Sequence, residues 1–355
     1  MTTTTSLRKK VAELKSTEPK LRQRDVAQRL GISEAELLSL NVGGNVTRLK
    51  GDWKNLLSSL SKMGYIMALT RNEHCVHERK GIYDNVTFYK GAHNMGVAVN
   101  PDIDLRFFMN EWKYGLAVIM DRGNHGKLHS FQFFNKRGEA VHKVFSTPKS
   151  DIEAYHLLVK LYKDDEQQPI TGVDRTPIEA KVPKPDASID VPGFQQEWRD
   201  LKDTHDFFGL VRRYELTRIQ SFRLAPEGFT QKVDNHAVVR ILEAAARQKL
   251  PIMCFVHSKG CIQIHTGEVK HLKQMGDWYN VLDPAFNLHL RMDRVAQTWV
   301  VEKPTTDGIV TSLELFDANG ELIVYFFGAR KPGKPELEGW REIIRKQAKN
   351  PVISE

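Results

Sequence analysis

The chain has 355 residues, 41% hydrophobic and 27% charged, which is enough apolar material for real cores and excludes wholesale disorder. A net charge of +8 suggests an anionic partner, but the surplus is local: residues 1–30 carry eight Lys/Arg against three acids, and residues 330–349 seven against three. The body between is neutral, which excludes one phosphate-tracking surface along the whole molecule. The N-terminus has no signal-like apolar stretch, and no run approaches the ~20 apolar residues of a membrane span. Three cysteines, Cys75, Cys254 and Cys261, are too few for a disulfide framework. A cytoplasmic protein that does not span a membrane is expected.

In chain order, residues 7–40 read as helical, with a turn at Gly31 and a Ser33 cap answered by Glu36 three residues on. The stretch from Arg24 to Leu38 resembles the start of a helix-turn-helix, a pattern common in helical hairpins that never touch DNA. A helix over 53–62, mostly antiparallel strands over 65–146 and a helix over 150–163 follow. Five of fifteen prolines (Pro169, Pro177, Pro183, Pro185 and Pro192) then crowd into a polar stretch that reads as a linker. Beyond it come helices at 196–223 and 234–249, mostly strands over 252–327, and a terminal helix over 335–348.

The two sides of the linker resemble each other. Trp53-Lys-Asn-Leu-Leu opens one and Trp198-Arg-Asp-Leu the other, while SFQFFNKRGEAVHKVF (130–145) and SLELFDANGELIVYFF (312–327) each read as a hairpin. Aligned on the tryptophans, the second copy carries about 37 extra residues. The expected fold is α+β: a duplicated unit with a large antiparallel sheet flanked by helices. The division is a helical cap (1–45), a first repeat (46–163), a proline-rich linker (164–195) and a second repeat (196–355).

Two clusters offer metal-ligating side chains, His74-Cys75-Val-His77-Glu78 and Cys254 to Cys261 with His257 and His265. On an extended strand His74 and His77 point to opposite faces, and ordinary strand residues are the plainer reading. No GxGxxG, P-loop, GxSxG or HExxH pattern is present, so the common nucleotide and hydrolase chemistries have no support. His205, followed by Phe207 and Phe208 and by Arg212, Arg213, Arg218 and Arg223, is either a core residue or an axial ligand for a macrocycle.

Taken together, the RQRDVAQRLGISEAEL opening, DIDLRFF (102–108), DTHDFF (203–208), RIQSFR (218–223), HSKGCIQIHTG (257–267) and YFFGAR (325–330) resemble the bacterial cytoplasmic haemin-uptake and haemin-degrading proteins of the HemS/ChuS/HmuS type. That resemblance covers nearly the whole chain and includes an internal duplication. It implies a haem cleft between sheet and helices, with His205 as the proximal iron ligand and Arg106 as a distal and catalytic donor. It also implies Arg218, Lys303 and Arg330 at the propionates, Tyr325 less securely placed, and Phe108, Phe255 and Phe327 as macrocycle walls. The implied function is haem uptake and iron utilisation with oxidative haem degradation; the alternative is a carrier or store that hands haem to a separate oxygenase. The implied partners are an inner-membrane haem transporter and an electron donor, and a DNA-binding regulator is the weaker reading.

Overall fold

Two runs of elements in one order make up the molecule. The structure is a computed structural model describing residues 4–91, 94–177, 182–331 and 333–348. The first run is α1 (Thr4–Thr17), α2 (Gln23–Arg29), α3 (Glu34–Ser39), β1 (Val46–Leu49), α4 (Trp53–Ser59), β2 (Gly64–Arg71), β3 (Cys75–Ile82), β4 (Val86–Phe88), β5 (Met95–Val99), β6 (Asp104–Phe108), β7 (Tyr114–Asp121), β8 (Lys127–Phe134), β9 (Ala140–Ser150) and α5 (Ile152–Tyr162). The second is α6 (Val191–Arg199), α7 (Asp206–Arg213), α8 (Arg218–Arg223), β10 (Thr230–Val233), α9 (Ala237–Gln248), β11 (Ile252–His257), β12 (Cys261–Gly267), β13 (Leu272–Met275), β14 (Trp278–Leu282), β15 (Phe286–Arg291), β16 (Gln297–Thr305), β17 (Gly308–Phe316), β18 (Leu322–Gly328) and α10 (Glu338–Ala348). The sequence of helices and strands is the same in both. The expected α+β duplication is therefore present.

Two compact units result. Unit 1 comprises Met1–Arg71, Glu78–Pro177 and His257–Gln263; unit 2 comprises Asn72–His77, Ile178–Val256 and Ile264–Glu355. Strands β3 and β12 thus each begin in one unit and end in the other. Unit 1 pairs β1-β7-β8-β9-β2 into an antiparallel ladder, with a β4-β5-β6 meander. Unit 2 pairs β10-β16-β17-β18-β11 in the same order, with a β13-β14-β15 meander.

Local chemistry explains the repetition. Each central hairpin closes on a glycine of positive φ, Gly138 (+74°) and Gly320 (+77°), a conformation that side chains disfavour. In each, one acceptor oxygen gathers the turn amides: Asn135 Oδ1 accepts from Arg137 and Glu139, and Asp317 Oδ1 from Asn319 and Glu321. One face of each ladder packs under helices, with α4 and α5 contributing to the unit 1 core and α9 and α10 to that of unit 2. A tryptophan presses on a strand glycine in both: a Cβ on Gly115 would lie 2.5 Å from Trp53, and one on Gly328 2.7 Å from Trp340. The other face is covered by α3 in unit 1 and by α6, α7 and α8 in unit 2.

Several expectations need correction. The opening tryptophans are not counterparts: Trp53 lies in α4, on the α4/α5 face, whereas Trp198 lies in α6 and packs with Phe194, Phe207 and Phe222 on the other. By element order α6-α7-α8 corresponds to α1-α2-α3, so aligned on the elements the second copy carries no 37-residue excess. The proline-rich stretch is also not a free tether in its described parts. Ile170 and Val173 are buried in unit 1, and Asp186 accepts from Gln220 (2.7 Å) and Arg223 (2.9 Å) in unit 2. Residues 178–181 lie outside the described residues.

Candidate functional site

Five elements of unit 2 bring most of the candidate residues together. Across the ladder, Glu314 of β17 stands opposite Tyr325 of β18, which stands opposite Phe255 of β11; Phe327 stands opposite Ser312. These side chains share one face because strand residues alternate. Phe255 stacks on Tyr325 with centroids 4.8 Å apart, and Phe327 meets both edge-on at 5.3 and 5.6 Å. All three are half-buried, a partly open aromatic platform beside the region covered by α7 and α8.

Charge is built in next to this platform. Glu314 is fully buried; it accepts from Arg218 Nε at 2.6 Å and from Lys303 Nζ at 2.8 Å, with Ser312 Oγ also at 2.8 Å. Burial would raise the Glu314 pKa, but the two cations outweigh it and hold the carboxyl well below its ordinary range. Burial lowers the Lys303 pKa against the pull of Glu314, and its ammonium sits 4.7 Å from the centre of the Phe207 ring. The Arg218 guanidinium lies 5.8 Å from the Tyr325 ring and 5.7 Å from that of Phe207. Two cations against one carboxylate leave one excess positive charge under an aromatic surface.

His205 stands at the N-cap of α7, its side chain 94% exposed, and its Nδ1 lies 2.6 Å from Asp203 Oδ1. That same oxygen accepts from the His205 backbone N–H at 2.8 Å, which is the main cause of the lowered Asp203 pKa. Three residues on, Phe208 is 69% exposed, while its neighbour Phe207 is buried. Arg330 follows β18, is half-buried, interacts with Asp203 through its charge, and lies 3.5 Å from Asp307. An exposed imidazole, exposed and half-exposed aromatics and neighbouring guanidinium groups form a donor set that suits a flat macrocycle bearing carboxylates.

Asp203 and Glu314 were not among the expected site residues. Glu314 leaves a trace in the sequence, as a lone charge inside the apolar strand SLELF; Asp203 leaves only its place two residues before His205.

The model of the haemin-degrading HemS/ChuX domain matches the chain twice, over residues 31–162 and 215–347. The chain belongs to that family. It is 38% identical over 341 residues to the hemin transport protein HemS of Yersinia enterocolitica, spanning 96% of each chain. The heme-binding protein PhuS from Pseudomonas aeruginosa, solved in its holo form, is 46% identical with a TM-score of 0.92 and coverage of 96% and 98%. ChuS, described as an E. coli heme oxygenase, is 35% identical with a TM-score of 0.85 and coverage of 96% and 99%.

As a HemS/ChuX duplication the chain can be compared with itself. The N-cap held by His205 in unit 2 is held by Arg22 in unit 1. Thr217 caps α8 as Ser33 caps α3, so Arg218 corresponds to Glu34. The paired Glu314 and Tyr325 correspond to the paired Gln132 and Lys143. In unit 1 these positions form a closed ion cluster: Glu34 is buried and bonded by both Lys143 and Arg71, and their charges hold its pKa at about 2 despite burial. The helix-turn-helix-like segment is this same part of unit 1. Five of the six α3 residues are buried, including Ala35 and Leu38, so α3 has no free face to enter a DNA groove.

Arg106 and Phe108 belong to β6 of unit 1. Arg106 is paired with Asp104 on its own strand and donates to the Leu105 carbonyl at 3.1 Å; Phe108 is half-buried. Among the described residues no group of three or more His, Cys, Asp or Glu is placed to hold a metal ion, and Cys254 and Cys261 fall in different units. No described helix is long and apolar enough to cross a membrane.

Proposed function

We propose that this HemS/ChuX-family chain is a cytoplasmic haem-binding protein of haem uptake and iron utilisation that degrades haem oxidatively with an external reductant. The observation that carries the reading is the exposed His205 imidazole, tethered through Nδ1 to Asp203 and flanked by exposed Phe208. In this reading His205 Nε2 holds the iron, and Phe208, Phe255, Tyr325 and Phe327 meet the macrocycle. Arg218 and Arg330 face the propionates, with Lys303 supporting Arg218 through their shared Glu314. Bound haem iron supplies the oxygen chemistry; the protein orients the ring and supplies polar donors. For Arg106 as the distal and catalytic donor, and for Phe108 as a wall, the support is the resemblance of the DLRFF strand. The donor of haem would be an inner-membrane transporter.

A carrier that passes haem to a separate oxygenase is the second reading, favoured by the 94% exposure of His205, which suits transfer. Haem titration of the wild type and of His205→Ala tests the ligand: the variant is expected to show a changed ferric spectrum and faster haem loss, and identical spectra would refute the assignment. Oxygen and reductant are then added to the haem complex with catalase present. The expected result is loss of the Soret band with formation of a linear tetrapyrrole; an unchanged spectrum makes the protein a carrier.

A further inference from the structure

We propose that Asp203 is a positioning residue for the iron ligand: its carboxylate fixes the tautomer and the electron-donating strength of His205. The inference deepens the haem-binding reading above and rests on it. An imidazole free to flip offers either nitrogen to a metal. His205 is not free to do so. Nδ1 lies 2.6 Å from Asp203 Oδ1, a charge-assisted distance, and the same oxygen takes the His205 backbone N–H at 2.8 Å. A carboxylate only accepts hydrogen bonds, so the neutral ring carries its proton on Nδ1 and leaves the Nε2 lone pair for the metal.

The spacing makes both contacts from one oxygen. Asp203, two residues before the histidine, bends the backbone into the start of α7, so ring and main chain are held together. This matters because the His205 side chain is 94% exposed and has little packing to define its rotamer. A partner anion on the far nitrogen also raises ligand basicity, strengthening the bond to iron and favouring the ferric state. Arg330, whose charge also acts on Asp203, links this carboxylate to a residue proposed for a propionate.

The test compares the haem-loaded wild type with Asp203→Asn and Asp203→Ala. Asparagine keeps an oxygen for the backbone N–H, and so the helix start, while removing the charge. Three quantities are read: the iron–histidine stretch of the ferrous form by resonance Raman, the ferric/ferrous midpoint potential, and the rate of haem transfer to apomyoglobin. Both variants are expected to lower the stretching frequency, raise the potential and release haem about ten-fold faster. If Asp203→Asn has the stretch and potential of the wild type, Asp203 only shapes the turn and the proposal is overturned. Failure of the parent reading looks different: the wild-type spectrum would not depend on His205 at all, which overturns both.

Discussion

Two buried carboxylates, Glu34 and Glu314, are each held by two cations, one cluster in each unit. A carboxyl whose pKa falls on folding adds stability that is complete above its unfolded value near ~4.3 and is lost as pH falls through the folded value. For Glu34 the folded value is about 2, so the window runs from roughly pH 5 downward, with on the order of 3 kcal/mol at stake. Glu34→Gln is therefore expected to lower stability at pH 7 by about 3 kcal/mol, since Lys143 and Arg71 lose their anion. Urea unfolding at pH 7 and pH 3 checks this: the gap between variant and wild type should shrink at pH 3, and a constant gap would refute it. His205 is conspicuous in the sequence beside two phenylalanines, but its expected role as an iron ligand came from the family resemblance, since the residues alone left a core histidine equally open. Glu34 is not conspicuous: its burial depends on Lys143 and Arg71, more than 35 residues away.

The terminal helix α10 is docked by Trp340 against Gly328 and by Glu336 just before it. Both Glu336 oxygens accept from the Thr311 backbone N–H at 3.0 Å, and Arg341 lies 3.3 Å away. Burial nevertheless raises its pKa to about 7. The sign is the reverse of Glu34: stability is full below the unfolded value near ~4.3 and is lost as pH rises through about 7. Hydrogen exchange of the α10 amides, corrected for intrinsic rates, is expected to be less protected at pH 8 than at pH 5, and Glu336→Gln should remove the difference; equal protection in the wild type would refute it. At this scale the long helices and hairpins were legible because periodicity and turn chemistry agree. Strands β1 and β10, four residues each, are too short to show a period. The helix-turn-helix resemblance was a true reading of α2 and α3 as a capped hairpin, but burial of α3 was set by the sheet beneath it.

At the scale of the whole molecule, duplication of the fold does not duplicate the chemistry. Unit 1 has Arg22 and Glu34 where unit 2 has His205 and Arg218, so the proposed iron ligand is matched by a cation and the proposed propionate partner by an acid. Haem titration followed by absorbance is expected to saturate at one haem per chain, and two equal sites would refute it. The duplication itself was visible in the paired hairpins, whose turn residues are under the same local constraint in both copies. Its true register was not, because the two tryptophans were matched by residue type although they pack on opposite faces. The net charge was similarly informative only once placed: of the expected haem-site cations, Arg106, Arg218 and Lys303 sit in the neutral body.

The exchange of segments has a consequence for synthesis. Unit 1 includes His257–Gln263, more than 60 residues beyond the proline-rich stretch, and unit 2 reaches back to Asn72–His77. A chain emerging from the ribosome therefore cannot finish its first half before residue 263 has been made, although most of that half is already outside. Until then the nascent first half must wait with one strand missing. For the same reason, cutting the gene within the proline-rich stretch yields two fragments that each lack a strand segment held by the other. Unit 1 is therefore complete only once residue 263 has been made, and unit 2 only when the rest of the chain has followed.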